Sequence, residues 1–118
     1  MALEIGNAPL TDAPGLTVRG DLDLATAPAL DEALADAIRE STGAFVVELY
    51  GVGFLDSSGL QVLMRARALL GREDRALAVV CPFGRVRRVF ELSGVSDLFA
   101  FYPSREAALA ALVPSSRG

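Results

Sequence analysis

Two kinds of hydrophobic pattern alternate along the chain and predict its secondary structure. Short apolar runs predict strands at residues 3–5, 16–20, 45–49, 76–80 and 98–101. Apolar side chains spaced three and four residues apart predict helices at residues 26–43, 56–70, 85–93 and 103–112. This alternation is typical of an α/β fold, here a mixed, mostly parallel sheet of about four to five strands covered by about four helices.

Two of the predicted strand-to-helix loops hold the polar side chains of interest. Residues 21–26 contain Asp21 and Asp23, and Thr26 stands where it would cap the next helix. Residues 51–59 end in the tetrapeptide Asp-Ser-Ser-Gly, directly before the second helix. We expect the first two strands to pair antiparallel and the others to run parallel. Because open α/β sheets bind ligands beyond the carboxyl ends of their parallel strands, function is expected at these two loops.

Composition and charge narrow the class of protein. The chain has 118 residues, 52% of them hydrophobic, and 15 acidic side chains against 11 basic ones give a net charge of −4. This length predicts a single domain, with a core over residues 3–112 and a flexible tail at 113–118. An acidic chain without a long apolar run disfavours nucleic acid and membranes as partners. A single Cys and the lack of a signal peptide predict a cytoplasmic protein.

The residue types that are absent disfavour an enzyme. Without any His, the chain cannot form a Ser–His–acid triad or a His metal site, and one Cys cannot build a zinc site. Neither a P-loop nor a G-x-G-x-x-G motif is present. Asp21 and Asp23 alone offer too few ligands for a metal ion, so we interpret them as capping or solvated residues. We therefore expect no catalytic residue, no metal and no cofactor.

The tetrapeptide at residues 56–59 has two interpretations. In the first, Asp56 and the serines cap the helix by accepting hydrogen bonds from its first free N–H groups. In the second, one of the serines also carries a phosphate, because the positive end of a helix tolerates an anion. Both interpretations require the same geometry, and the residue types alone leave both open.

The helix that follows has apolar side chains on two sides. One stripe forms its natural core face and comprises Val62, Leu63, Ala66, Leu69 and Leu70. The opposite side comprises Ser57, Leu60, Gln61, Met64 and Ala68. Leu60 and Met64 are therefore expected to point away from the core face of this helix. Either a neighbouring helix covers them, or they form a docking surface beside the serines.

Three segments together resemble a known family. They are Gly-Asp-Leu-Asp-Leu-Ala-Thr-Ala-Pro at residues 20–28, Phe-Leu-Asp-Ser-Ser-Gly-Leu at 54–60 and Arg-Arg-Val-Phe-Glu-Leu-Ser-Gly-Val at 87–95. In this order they resemble a STAS domain, specifically the stand-alone anti-sigma factor antagonists of bacteria. The resemblance extends over about residues 3–112 and implies the STAS fold.

The resemblance also implies a partner-switching cycle. The unmodified antagonist would bind an anti-sigma factor that is also a serine kinase, and so displace the sigma factor it holds. The kinase, which itself binds ATP and Mg²⁺, would phosphorylate Ser57, and a serine/threonine phosphatase would reset the protein. Asp23 would contact the kinase, and Asp56 would border the acceptor. With the exposed helix side added, the predicted partner surface comprises Asp21, Asp23, Asp56, Ser57, Ser58, Gly59, Leu60, Gln61 and Met64.

Other functions and other residues remain possible at this point. A kinase-independent STAS subunit of a transporter or sensory assembly would use the same helix, and the intact double serine favours the antagonist over it. A small enzyme or nucleotide-binding module is disfavoured by the missing His and phosphate loop. Ser58 is an alternative acceptor. Elsewhere, the arginines at positions 85, 87 and 88 are interpreted as a solvated helix face, and Cys81 as an inert buried thiol.

Overall fold

A five-stranded sheet organises the chain in the computed structural model, which describes residues 3–7 and 13–112. The predicted tail at 113–118 and residues 8–12, between the first two predicted strands, lie outside the described residues. In chain order the elements are β1 Glu4–Asn7, β2 Gly15–Leu22, α1 Ala27–Arg39, β3 Phe45–Leu55, α2 Ser57–Gly71, β4 Leu77–Val80, α3 Arg85–Leu92, a 3-10 turn Ser96–Leu98, β5 Ala100–Tyr102 and α4 Arg105–Leu112.

The strands lie in the sheet in their order along the chain. β1 pairs antiparallel with β2, and the pairs β2–β3, β3–β4 and β4–β5 are parallel. Both the antiparallel first pair and the mostly parallel α/β sheet with four helices are as predicted, so these predictions are confirmed. The carboxyl ends of β2, β3 and β4 therefore lie at one edge of the sheet.

Alternation along β3 assigns the helices to the two faces of the sheet. Phe45, Val47 and Leu49 belong to the large core cluster that includes buried residues of α1, α2 and α3. Val46 points to the other face and belongs to a small cluster with Ala108 of α4. Three helices thus cover one face, and α4 covers part of the other. Within the described ranges no helix is long and apolar enough to cross a membrane.

β3 is longer than its hydrophobic pattern indicates. The prediction of a strand at 45–49 followed by a loop is wrong, because the strand is Phe45–Leu55 and pairs with β2 as far as Leu22. Shifts in register interrupt this pairing, as at β-bulges. Gly51, which suggests a loop in the sequence, instead allows close approach, since a Cβ there would lie 2.7 Å from Cγ of Arg19.

Candidate functional site

The ends of β2 and β3 bring the two predicted loops together. Asp21 and Leu22 of β2 pair with Phe54 and Leu55 of β3. The backbone N–H of Asp56 then donates to the carbonyl of Leu22, with 3.2 Å between N and O. The acidic loop after β2 and the tetrapeptide after β3 are therefore neighbours at the carboxyl edge of the sheet.

Asp23 organises the loop between β2 and α1. Its Oδ1 accepts hydrogen bonds from the backbone N–H groups of Ala25 at 3.0 Å and Thr26 at 3.1 Å. Thr26 stands at the N-cap position of α1, but its side chain makes no cap hydrogen bond there. Its hydroxyl donates instead to the carbonyl of Asp21 at 2.8 Å, so the predicted capping by Thr26 is wrong and the loop is tied to β2.

Asp56 caps α2 as predicted. Its Oδ1 accepts hydrogen bonds from the N–H groups of Ser58 at 2.9 Å and Gly59 at 3.3 Å. Ser57 is the first residue of the helix, and its side chain is exposed. Its hydroxyl forms no hydrogen bond within the described part of the chain. The next residue, Ser58, is half-buried and so less exposed than Ser57. Ser57 is thus the more accessible of the two candidate acceptors.

Gly59 holds α2 close to the sheet. A Cβ at this buried position would lie 2.5 Å from Cδ1 of Leu55 and 2.7 Å from Cγ of Leu22. Ordinary carbon contacts are near 3.5–4.0 Å, so a side chain here would push the helix start away from β2 and β3. Gly59 therefore contributes to the site by setting the position of Ser57, two residues earlier.

We expect Gly59→Ala to lower the free energy of unfolding by about 1–3 kcal/mol, as over-packing in a core does. Gly71→Ala, at the other end of α2, is the matched control because a Cβ there would meet no atom within 4 Å. That control should be neutral or slightly stabilising, since Ala favours a helix. Urea unfolding of both variants measures the difference, and equal stability of the two would contradict the packing role of Gly59.

The side of α2 predicted to face outward is partly buried. Leu60 is only 6% exposed and belongs to the large core cluster, so of the two alternatives it is covered by its neighbours and is not part of an exposed docking surface. Met64 is half-buried and packs against the same cluster, and Gln61 is exposed. The helix packs against α1 as well as the sheet, and Arg65 reaches Asp31 of α1 at 3.0 Å. The buried face of α2 is therefore wider than the single apolar stripe that forms its core face.

Two exposed apolar residues that the sequence analysis did not single out lie at the same edge. Leu24, in the loop shaped by Asp23, is 76% exposed, and Phe54, at the end of β3, is 49% exposed. Large apolar side chains left in water beside a polar loop are typical of protein interaction sites. A leucine directly after the carboxylate of Asp23, within a polar loop, was the sequence feature that could have indicated Leu24.

Three carboxylates lie at the edge of the sheet that holds Ser57. Asp21 is in β2, Asp23 is in the loop after it, and Asp56 follows β3 directly before Ser57. Within residues 3–7 and 13–112 no cluster of three or more acidic, His or Cys side chains is arranged to hold a metal ion. The arrangement makes this edge of the sheet acidic, so that a further negative charge on Ser57 would add to charge already present.

Cys81 lies in the core at the end of β4. Burial raises the pKa of its thiol from 9.0 to about 11, and the nearby Arg87 guanidinium opposes part of this shift. Because the thiol has a higher pKa in the folded protein than in the unfolded chain, burying it in its neutral form stabilises the fold. This stabilisation is complete below pH 9 and is lost as the pH rises through about 11.

We expect the free energy of unfolding to fall by up to about 1.4 kcal/mol per pH unit between pH 9 and 11 because of this thiol. Denaturant unfolding at several pH values, compared with Cys81→Ala, measures its share. The variant should show a shallower decline over the same range. Parallel pH profiles for the two proteins would contradict the assignment.

The chain is similar to several known proteins. Residues 10–108 match the family model described as the STAS domain. An anti-sigma-B factor antagonist of Staphylococcus aureus (strain NCTC 8325 / PS 47) is 33% identical over 81 residues, which are 69% of this chain and 75% of that protein. The crystal structure of an anti-sigma factor antagonist from Mycobacterium paratuberculosis matches with a TM-score of 0.86 at 32% identity, covering 94% of each chain.

More distant structures share the fold alone. The anti-sigma factor antagonist SpoIIAA in its unphosphorylated form matches with a TM-score of 0.72 at 20% identity, covering 92% of this chain and 96% of its own. The Bacillus cell fate determinant SpoIIAA in the phosphorylated form matches with a TM-score of 0.66 at 19% identity, covering 92% and 98%. The same sheet and helices thus occur in chains with largely different sequences.

Proposed function

Since this chain belongs to the STAS domain family, we propose that it acts as an anti-sigma factor antagonist. In this proposal its unmodified form binds an anti-sigma factor and thereby frees the sigma factor that the anti-sigma factor holds. The observation that carries the proposal is Ser57, an exposed residue that begins α2 at the edge of the sheet that also holds the acidic loop after β2 and the exposed side chains of Leu24 and Phe54. The relatives in Staphylococcus aureus and Mycobacterium paratuberculosis, both described as antagonists, support it.

The binding surface that we propose consists of exposed contact residues supported by buried residues beneath them. Leu60 and Gly59 are buried, so they belong to the packing beneath the surface and position what lies above them. The residues offered to the anti-sigma factor are Asp21, Asp23, Leu24, Phe54, Asp56, Ser57, Ser58, Gln61 and Met64. Apolar contacts from Leu24 and Phe54 would supply affinity, and the carboxylates would accept hydrogen bonds from the partner.

Ser57 is the proposed switch. We propose that the anti-sigma factor is also a serine kinase, which binds the ATP and Mg²⁺ and phosphorylates this hydroxyl. The phosphate adds about −1.5 to −2 charges beside Asp56, and the complex then dissociates. A serine/threonine phosphatase would remove the phosphate. A protein of the same fold occurs in unphosphorylated and phosphorylated forms, which supports such a cycle.

The fold does not have to change for this switch to work. A phosphate at the first residue of a helix meets the positive end of the helix, so α2 is not disrupted. Phosphorylation would instead destabilise the complex, because the phosphate would face acidic groups of the partner and displace a close contact. We propose that the chain binds its partners in the cytoplasm and itself catalyses no reaction.

Mass spectrometry of the protein recovered from its native cells tests the proposal. Peptide mapping across growth and stress conditions should find a phosphoryl group on Ser57 whose occupancy changes with the condition, with fragmentation to separate Ser57 from Ser58. The Ser57→Ala protein, used as bait, should recover a protein with an ATP-binding kinase domain. If Ser57 stays unmodified in every condition, the switch is wrong and a kinase-independent STAS subunit becomes the better hypothesis.

A further inference from the structure

The second half of β3 has a neighbouring strand on one side only. β2 pairs with β3 as far as Leu55, whereas β4 pairs with it only from Phe45 to Glu48. β4 ends at Val80, and the N–H of the next residue donates to the carbonyl of Tyr102 in β5 at 3.0 Å and not to β3. Across the described ranges no strand pairs with residues 49–55 on the β4 side.

A cleft of about 320 Å³ lies along this free edge. One wall is β3 itself, and the other is the segment that joins β4 to α3. Its lining includes Leu49, Tyr50, Val52, Phe83, Arg85 and Val86. Leu49, Val52 and Val86 make an apolar floor, whereas the rings of Tyr50 and Phe83 are 76% and 81% exposed. Exposed aromatic side chains beside an apolar floor are typical of sites that bind a peptide or protein.

The cleft lies beside a basic segment of an acidic chain. Residues 82–93 contain three Arg and one Glu, a net charge of +2, whereas the whole chain has −4. Neither Arg85 nor Arg88 forms an ion pair within residues 3–7 and 13–112, and both are exposed. These two confirm the solvated face expected from the sequence.

Arg87 departs from that expectation. Its guanidinium stacks over the ring of Phe101 at 4.0 Å and that of Phe83 at 4.7 Å. Its Nε is buried and has no hydrogen-bond partner among the described residues. The stacking holds one face of Phe83, so this exposed ring is supported at the rim of the cleft. Among residues 3–7 and 13–112 no carboxylate forms an ion pair with the Arg87 guanidinium.

We propose that the free edge of β3 at residues 49–55 binds an extended acidic segment of another protein as an added strand. The edge supplies backbone hydrogen bonds, the apolar floor takes alternate side chains of the segment, and Arg85 attracts its carboxylates. The irregular register of β3 limits pairing to a short segment, which keeps this edge from indiscriminate association. The proposal does not depend on the function assigned to Ser57.

Titration of the ¹⁵N-labelled full chain with the peptide acetyl-Glu-Val-Glu-Val-Glu-amide tests the proposal. Amide signals of residues 49–55 and 82–86 should shift. Two further peptides distinguish backbone strand pairing from electrostatic attraction alone. The first is N-methylated on both Val nitrogens, and the second on the central Glu nitrogen. Because alternate amides of a strand face the same side, one of them should bind roughly tenfold or more weakly and the other should bind like the parent.

Charge reversal supplies the second half of the test. Arg85→Glu should weaken the acidic peptide by roughly tenfold and gain affinity for acetyl-Lys-Val-Lys-Val-Lys-amide. Two results would overturn the proposal. One is equal binding of the parent and both N-methylated peptides, which would mean contact by charge alone. The other is a titration to millimolar peptide in which the shifts map elsewhere or do not occur.

Discussion

Ser57→Ala is expected to keep the protein bound to its anti-sigma factor in all conditions, and Ser57→Asp to weaken that complex by about 10- to 1,000-fold. Ala preserves the uncharged surface at the start of α2, where Ser57 is exposed and forms no hydrogen bond within the described part of the chain. Asp adds one negative charge to an edge that already holds Asp21, Asp23 and Asp56.

The size of the effect follows from the charges. One additional charge about 6 Å from an acidic group of the partner, at an effective dielectric constant near 20, costs about 3 kcal/mol before screening by salt. A phosphate carries about −1.5 to −2 charges, so phosphorylation should weaken the complex more than Ser57→Asp does. Loss of a close contact at Ser57 should further weaken the complex in both the phosphorylated protein and Ser57→Asp.

Calorimetric titration of the partner with both variants measures the difference. Raising the salt concentration should narrow the gap between Ser57→Asp and wild type, because exposed charges are screened. Ser58→Ala is the matched control, since Ser58 is half-buried and its backbone N–H, which the substitution keeps, is the group bonded to Asp56. Equal affinities for Ser57→Ala and Ser57→Asp would exclude an electrostatic switch at this residue.

Arg75→Ala is expected to lower the free energy of unfolding by about 3 kcal/mol. The Arg75 side chain is only 6% exposed. It donates to the carbonyls of Gly43 at 2.7 Å and Ile38 at 2.8 Å, and to Oγ of Ser41 at 2.8 Å. One guanidinium thereby joins the end of α1, the approach to β3 and the segment after α2. Its removal leaves three acceptors to be satisfied in another way.

Urea unfolding of two substitutions at this position tests the role of geometry as well as charge. Arg75→Lys keeps the charge but loses the planar fork, so it should recover only part of the stability. Arg72→Ala, an exposed arginine three residues earlier, is the control and should change stability by less than about 0.5 kcal/mol. A loss at Arg75→Ala no larger than that of the control would show that these hydrogen bonds contribute little.

The order and type of the elements could be predicted because each depends on residues close together in the chain. The β-branched run at the start of β3 and the apolar positions Val86 and Phe90 of α3 are buried as their spacing indicates. Asp56 also caps the helix that its residue type favours. Such patterns are local, so the physical preferences that produce them are visible in the sequence.

Errors arose where a neighbour distant in sequence decides the outcome. Gly51 looks like a turn residue, yet it lies in β3 because β2 pairs with that part of the strand. Thr26 is a favoured cap residue, yet its hydroxyl bonds to the end of β2. For Leu60, opposite the main apolar stripe of α2, the sequence left cover and exposure open, and it is buried because the helix packs against α1 as well as the sheet.

The sequence by itself determined the α/β architecture, the family and the place of the serine motif after the central strand. Only the tertiary structure decided that Ser57 is accessible while Gly59 and Leu60 are buried beneath it, and that β3 extends past β4 to leave an open edge. The physical reason is the range of the interactions. Hydrogen bonding and periodicity act over a few residues, whereas burial and strand pairing depend on segments that meet only after folding.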